Sequence, residues 1–411
     1  MNAIILSIGD ELLDGLIADT NAKFLSERLQ GLGIRVVGHR AAGDDVAPIA
    51  SALKDIARVA DVCLATGGLG PTLDDRTREG FACAFGLSLA RNAAAERIVR
   101  AFFRKRPMAV SNLRQADLPR GADPLANPVG TAPGFALKAG RCRFFAMPGV
   151  PSEMTRMFEH EVAPRLLRLP GREAIAVRQL HLLPGTGESV VGETIADYMR
   201  RGRNPVVGTL VSGGIITVKV VARSKTQRAA ALLASDDVAD LNQIFRGRIF
   251  GADGSTLENE ILSILRRRRQ TLALAESCTG GLLSKRFTDV PGASDVFVES
   301  CVTYANASKA RRLGVSKATL ERLGAVSEAC AREMAEGIRK TARTNWGVGI
   351  TGVAGPRGGT REKPVGCVHL AVAGPGGVTH RELRLKGDRD TIRIRAAALA
   401  GAELWRRLTK D

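Results

Sequence analysis

Four short apolar runs in this chain end in the same way, on a loop of glycine and polar residues. Residues 3–8 run into Gly9-Asp10-Glu11-Leu12-Leu13. Residues 61–65 run into Thr66-Gly67-Gly68-Leu69-Gly70-Pro71-Thr72-Leu73-Asp74-Asp75. Residues 271–275 run into Glu276-Ser277-Cys278-Thr279-Gly280-Gly281, and residues 346–350 into Thr351-Gly352-Val353-Ala354-Gly355-Pro356. Runs too short for a helix, alternating with helical patterns, predict parallel strands covered by helices. The fold class expected is therefore α/β. In such folds ligands sit beyond the carboxyl ends of the strands, where these four loops fall.

A chain of 411 residues calls for two or three domains, and 45% hydrophobic residues give each a core. Residues 1–170 read as strand (3–8), helix (20–31), strand (35–39), helix (46–59) and strand (61–65). Residues 171–251 have the size of a small α+β unit, with strands at 174–183 and 215–222 and helices at 188–201 and 227–245. Residues 252–411 open on the turn Asp253-Gly254-Ser255-Thr256 and a helix over 257–269. Further strands follow at 299–304, 346–350 and 367–373, with a helix from Ser327 to Arg343.

The amino-terminal loops point to a phosphate. Their glycines let backbone N–H groups approach an anion without a Cβ in the way. Asp74 and Asp75 could hold a divalent cation that bridges it, or they could simply cap a helix. Two further segments, residues 127–135 and 147–154, add to a nucleotide-type pocket.

The loop after residue 275 carries three side chains able to act as nucleophiles, Ser277, Cys278 and Thr279. A helix predicted from Thr279 would put them at its N-terminus, where N–H groups and the dipole favour an anion. Acyl transfer needs that arrangement, although a Ser and a Thr there could also serve only as caps. Chemistry alone favours Cys278, whose thiol a helix N-terminus would acidify. A serine needs a base. His369 falls inside a strand and His380 past the last glycine turn, whereas Lys309 follows a polar loop, and a desolvated lysine can act as one.

Composition excludes several classes. Aromatics are only 4%, against base-stacking platforms for single-stranded nucleic acid. The +18 charge comes mostly from single arginines spread along helices, and the run Arg266–Arg269 ends a predicted helix, where cations suit the dipole. Nucleic acid is not the expected partner, and the middle segment lacks a G-x-x-G loop followed by a basic helix. No run reaches a membrane span, and residues 3–8 read as a first strand, not a signal peptide. Seven scattered cysteines, never C-x-x-C, suit reduced thiols in a cytoplasm and no zinc site.

The motifs G-D-E-L-L, T-G-G-L-G-P-T-x-D-D, N-x-x-G-T-A-P-G-F and M-P-G-V-P-S-E-M resemble the amino-terminal domain of the CinA (competence/damage-inducible protein A) family. That domain is similar to the molybdopterin-binding MoaB/MogA proteins. The motifs A-E-S-C-T-G-G, T-Y-x-N-x-x-K, G-A-V-S-E, T-G-x-A-G-P-x-G-G-T, E-K-P-V-G and G-D-R-D resemble the family's carboxy-terminal domain, also found alone as nicotinamide mononucleotide (NMN) deamidase. The region between resembles a KH-type module. The resemblance implies a MoaB/MogA-like domain over 1–170, a KH-like linker domain over 171–251 and an amidohydrolase domain over 252–411.

It also implies roles. Ser277 matches the nucleophile and Lys309 its base, while Tyr304 and Thr351 match positions lining the site. Thr279, Gly280, Gly281, Asn306, Gly352 and Gly355 are implied as substrate-binding, with Arg389 or Arg393 facing the substrate phosphate. No cofactor is implied for the amidase. Gly9, Asp10, Glu11, Asn21, Gly67, Gly68, Gly70 and Thr72 are implied for a nucleotide site that hydrolyses ADP-ribose, with Asp74 and Asp75 for a divalent metal. A cytoplasmic homodimer in pyridine-nucleotide salvage is the implied setting. The alternative is a nucleotide- or pterin-binding competence protein with a silent amino-terminal half. Two departures stand out: Arg357 replaces the family's usual Asp, and Leu323 a frequent His before Gly324.

Overall fold

The computed structural model describes residues 1–105 and 107–410. They pack into two compact units, one of Met1–Ala176 with Ala222–Leu232, the other of residues 177–221 with 233–410.

The first unit is built on a six-stranded sheet in the order Arg35–Ala42, Asn2–Ile8, Val62–Thr66, Cys142–Met147, Gly134–Ala139, Asp123–Leu125. The first four strands are parallel, and the last two join antiparallel. Val62–Thr66 is buried at every residue, as a strand covered on both faces must be. Successive residues of Asn2–Ile8 feed opposite cores. Leu6 packs with Ile49, Leu53, Phe81 and Phe144 on one side, and Ile5 with Leu25, Leu29, Met154 and Phe158 on the other. The helices Thr20–Gly31 and Val46–Val59 cover the faces as their periodicity predicts, and Asp19 caps the first by accepting from the Ala22 N–H at 2.8 Å.

The middle of the chain forms a four-stranded sheet in the order Val206–Ser212, Ile215–Ser224, Ala174–Leu182, Ile249–Ala252, with helices Glu188–Thr194 and Gln227–Ile244. The predicted helix over 188–201 stops at Thr194, and the strands at 206–212 and 249–252 were not expected. The first of these exposes Val206, Leu210 and Val211, so its apolar residues do not alternate with polar ones.

The carboxy-terminal sheet runs Phe297–Val302, Leu272–Glu276, Trp346–Gly352, Cys367–Gly374, Gly377–Arg384. Three strands are parallel and a closing hairpin is antiparallel. Helix Glu328–Thr341 lies so close that a Cβ on Gly347 would fall 2.3 Å from the Ala335 carbonyl oxygen, and one on Gly349 2.5 Å from that of Ala331. Glycine alternation in the central strand is therefore what admits the helix. On the opposite face Leu272, Leu274, Trp346, Val348 and Ile350 pack against helices Leu257–Arg268 and Arg389–Lys410. No helix among the described residues is long and apolar enough to cross a membrane.

Candidate active site in the carboxy-terminal domain

Leu272–Glu276 sits between two parallel neighbours, and its last residue is a fully buried glutamate. The next helix is Leu282–Thr288, not one starting at Thr279. Its free N–H groups are taken by that glutamate. Oε2 of Glu276 accepts from Gly281 at 3.0 Å and Leu283 at 3.2 Å, and Oε1 from the Ser284 N–H at 2.8 Å and the Ser284 hydroxyl. A carboxylate in that place satisfies orphan donors and meets the positive end of the dipole. The expectation that this helix end serves the nucleophiles is thereby corrected: its N–H groups belong to Glu276. The glycines also have a different reason from close approach. Gly280 and Gly281 stand at φ 61° and 90°, where a side chain would strain the turn, and a Cβ on either would meet nothing nearer than 3.5 Å.

The turn separates the three candidate nucleophiles. Ser277 Oγ lies 3.1 Å from Lys309 Nζ. Cys278 instead points into the core with Leu274, Leu283 and Phe287, and burial, followed by the charge of Glu276, pushes its thiol up to about 12. The acidified Cys278 thiol expected from sequence is thus overturned, because the helix field is spent on Glu276 and the sulfur is desolvated. Thr279 is fully buried, with no hydrogen-bond partner for its hydroxyl among the described residues.

Lys309, in helix Asn306–Leu313, is only 1% exposed. Its ammonium nitrogen reaches Ser277 Oγ and the carbonyls of Thr303 at 2.8 Å and Tyr304 at 3.1 Å, and no carboxylate pairs with it among the described residues. Burial lowers its pKa, against smaller opposing effects of Cys330 and Cys278. The three acceptors match the three N–H groups of an ammonium; a neutral amine would keep two for the carbonyls and turn its lone pair to the serine hydroxyl.

Other implied residues converge on this turn. Arg389 Nη1 donates to the Gly355 carbonyl at 2.6 Å and Nη2 to the Tyr304 hydroxyl at 3.0 Å. Arg393 Nη2 donates to the Thr279 carbonyl at 2.9 Å. Both arginines open helix Arg389–Lys410, whose role in the site was not legible as an element from sequence. Asn306 begins the lysine's helix and is exposed. Thr351 is buried, follows Ile350 (the strand partner of Glu276) and donates to the Ala325 carbonyl at 2.8 Å. A Cβ on Gly352 would fall 2.7 Å from both the Cys367 carbonyl oxygen and Val368, so strand packing requires that glycine.

In the first unit, the loop after Val62–Thr66 is held from inside. Arg78, 1% exposed, donates to the carbonyls of Leu69 at 2.7 Å and Gly70 at 2.9 Å, and the Thr77 hydroxyl to that of Gly67. A Cβ on Gly67 would fall 2.0 Å from the Ile8 carbonyl oxygen, and one on Gly68 2.3 Å from Thr77 Oγ1. Asp75 is occupied within the loop: it accepts from the Gly70 N–H at 2.7 Å, the Thr72 N–H at 2.9 Å and the Thr72 hydroxyl. Asp74 is exposed. A cleft of about 460 Å³ beside them is lined by Gly9, Glu11, Gly67, Gly68, Gly70, Asp74 and Asp75.

Sequence reading missed two polar members of this cleft, Asp44 and Gln115, whereas Glu153 belongs to the segment 147–154 that it singled out. Asp44 and Asp10 accept from each other's backbone N–H groups at 3.0 and 3.1 Å. Burial raises the Asp44 pKa, and the charges of Asp10, Glu11 and Asp74 raise it further. Asn21 braces the rim by donating to the Gly149 carbonyl at 2.7 Å, while its own Oδ1 has no partner among the described residues. Asp44, Asp74 and Glu11 offer the hard oxygen donors a divalent cation takes, but among the described residues their ligand atoms do not gather within 4.8 Å of one another, and Asp75 is a loop brace.

Three family models match in sequence: the probable molybdopterin binding domain over residues 4–168, the damage-inducible protein CinA KH domain over 178–251 and the CinA C-terminal domain over 254–408. A CinA-like protein of Frankia casuarinae is 42% identical over 99% of this chain and 96% of its own length. The chain belongs to the CinA family. A CinA-like protein of Desulfosudis oleivorans is 43% identical over 99% of both chains. Among solved structures, the competence/damage inducible protein CihA of Agrobacterium tumefaciens is 40% identical, covers 37% of this chain and 93% of its own, and has a TM-score of 0.36. As a CinA-family member the chain thus has a MoaB/MogA-like amino-terminal domain, a KH-like middle and a CinA carboxy-terminal α/β domain.

Proposed function

We propose that the carboxy-terminal domain, residues 252–411, hydrolyses the carboxamide of NMN to nicotinic acid mononucleotide and ammonia. The observation that carries this reading is the buried Lys309 nitrogen, 3.1 Å from Ser277 Oγ and without a carboxylate partner among the described residues. Neutral Lys309 takes the Ser277 proton as Oγ attacks the amide carbon. The Gly280 N–H closes on the Ser277 carbonyl and that of Gly281 on Glu276, which leaves Cys278 and Thr279 as the turn's donors for the oxyanion. The C–N bond then breaks, the ammonium of Lys309 protonates the departing nitrogen, and an ester remains on Ser277. Lys309 next deprotonates water, which attacks that ester, and the carboxylate leaves as Ser277 regains its proton. Arg389 and Arg393 supply the positive charge for the phosphate.

A second activity is proposed for residues 1–170, on the cleft lined by Glu11, Asp44 and Asp74: hydrolysis of the ADP-ribose pyrophosphate. A divalent cation bound there would neutralise pyrophosphate charge. The protein's part is to hold the carboxylates; Gly9, Gly67 and Gly70 spend their N–H groups on Ala42, Met147 and Asp75, which leaves that of Gly68 for the anion. The two readings are tested together by supplying purified protein with NMN or with ADP-ribose and divalent ions. Ammonia from NMN supports the first, and its absence under all conditions overturns it. Metal-dependent cleavage of ADP-ribose supports the second, and a binding-only amino-terminal half would give none.

A further inference from the structure

Away from the Ser277–Lys309 pair, the closing hairpin of the carboxy-terminal sheet puts a thiol, two imidazoles and a carboxylate on one face. Cys367 and His369 are two apart on one strand, and Glu382 stands directly opposite His369 on the next. The ligating atoms of Cys367, His369 and Glu382 all lie within 4.8 Å of one another. Cys367 Sγ and His369 Nε2 are 3.7 Å apart. Thiolate and imidazole bound to one tetrahedral zinc, at about 2.3 and 2.1 Å, would be separated by about 3.6 Å.

The polar contacts behind the cluster favour the tautomer that a metal needs. Glu328 Oε2 lies 3.4 Å from His380 Nδ1, at ion-pair distance, where its charge favours a proton on that nitrogen. His380 Nε2 is then an acceptor, 3.0 Å from His369 Nδ1, which donates. His369 Nε2 is left with a lone pair aimed at the Cys367 sulfur. A carboxylate–imidazole relay behind a ligating histidine is the usual support of a transition-metal ligand. Glu382 Oε1 is paired with Arg384 at 2.5 Å, which orients the carboxylate and leaves Oε2 free. Cys367 and His369 are buried and Glu382 is exposed, so an ion would reach the site from the Glu382 side, with a water as fourth ligand.

We propose that Cys367, His369 and Glu382 bind one divalent ion of the zinc class, with His380 and Glu328 as the positioning relay. Sequence spacing had indicated no zinc site, because the donors come from two paired strands and not from one short motif.

Cobalt(II) tests the site, since only a thiolate ligand gives an intense sulfur-to-cobalt charge-transfer band. Carboxylates of the amino-terminal cleft cannot produce it. Metal-free full-length protein should develop the band and saturate it at one equivalent, and zinc should bleach it. Cys367→Ser should lose the band. His369→Gln, which keeps the thiol, should bind at least tenfold more weakly, and His380→Ala about 10–100-fold more weakly with the band retained. A wild type without the band, or a band undiminished in Cys367→Ser, overturns the proposal. Should Cys367→Ser fail to fold, unchanged cobalt affinity in His369→Gln would overturn it equally.

Discussion

The turns after Leu272–Glu276 and after Val62–Thr66 each follow a buried strand with parallel neighbours on both sides, yet they are braced by opposite charges. In the first, buried Glu276 gathers the N–H groups of the following helix. In the second, buried Arg78 gathers the loop's carbonyls. A carboxylate inside the turn uses up the donors that would attract an anion there, and leaves a serine beside a desolvated lysine. A guanidinium inside the loop ties down acceptors and leaves carboxylates lining the cleft. Shared topology provides the position, and the buried ion decides the chemistry that the position can support.

The comparison breaks most sharply if the two sites are not independent. Lys309→Ala should lower kcat for ammonia release about a thousandfold or more and leave ADP-ribose cleavage unchanged; Asp74→Asn should do the reverse. Loss of both activities in either variant, with the fold intact by circular dichroism, would mean one shared site.

Next in size are the braces. Glu276→Gln should cost about 2–3 kcal/mol in denaturant unfolding, because a fully buried charged acceptor of several hydrogen bonds is replaced by a neutral one with an unpaired NH₂. Asp75→Asn, on a partly exposed loop, should cost about 1 kcal/mol. Equal costs would mean that the two turns are braced alike.

A pH dependence sharpens the lysine's part. Its pKa is lowered on folding, so the unfolded chain binds a proton that the folded chain resists. The amidase rate should fall on acidification, as the neutral amine is lost. Lys309→Met should be more stable than wild type, with a gap widest below the lowered pKa that closes as pH rises toward lysine's ordinary range. A gap that widens with rising pH would show the lysine to be favourably paired.

The smallest effect expected is that of Cys278→Ala on catalysis. The thiol is buried and pushed up to about 12, so its loss should cost some packing, about 1 kcal/mol, and little activity.

Much of this was legible in sequence, where local signals agree with the final packing. The helix at 20–31, the apolar runs at 61–65 and 271–275, and the glycine loops after them read correctly, within a residue for the strands, as elements of an α/β fold. The Ser277 turn read less well, because Glu276 looks like the last residue of a strand. Only the three-dimensional turn shows that its carboxylate folds back onto Gly281, Leu283 and Ser284. That single carboxylate moves the helix start to Leu282 and sets the environment of Cys278. Asp44 was missed because it enters the cleft from a loop with no motif of its own, and Gln115 because it sits on a short 3-10 helix, Val110–Ala116, that has none either. Strand Gly377–Arg384 carries charged residues at nearly alternate positions and little apolar pattern, so neither it nor the His369–His380 stack on its face was readable.

The most direct test of the central claim measures ammonia release from NMN by wild type, Ser277→Ala and Cys278→Ala, with and without a thiol-alkylating reagent. The geometry predicts an active wild type, a Cys278→Ala variant close to it, little inhibition by alkylation and a Ser277→Ala variant without measurable turnover. An active Ser277→Ala beside a dead Cys278→Ala, with wild type silenced by alkylation, would contradict it.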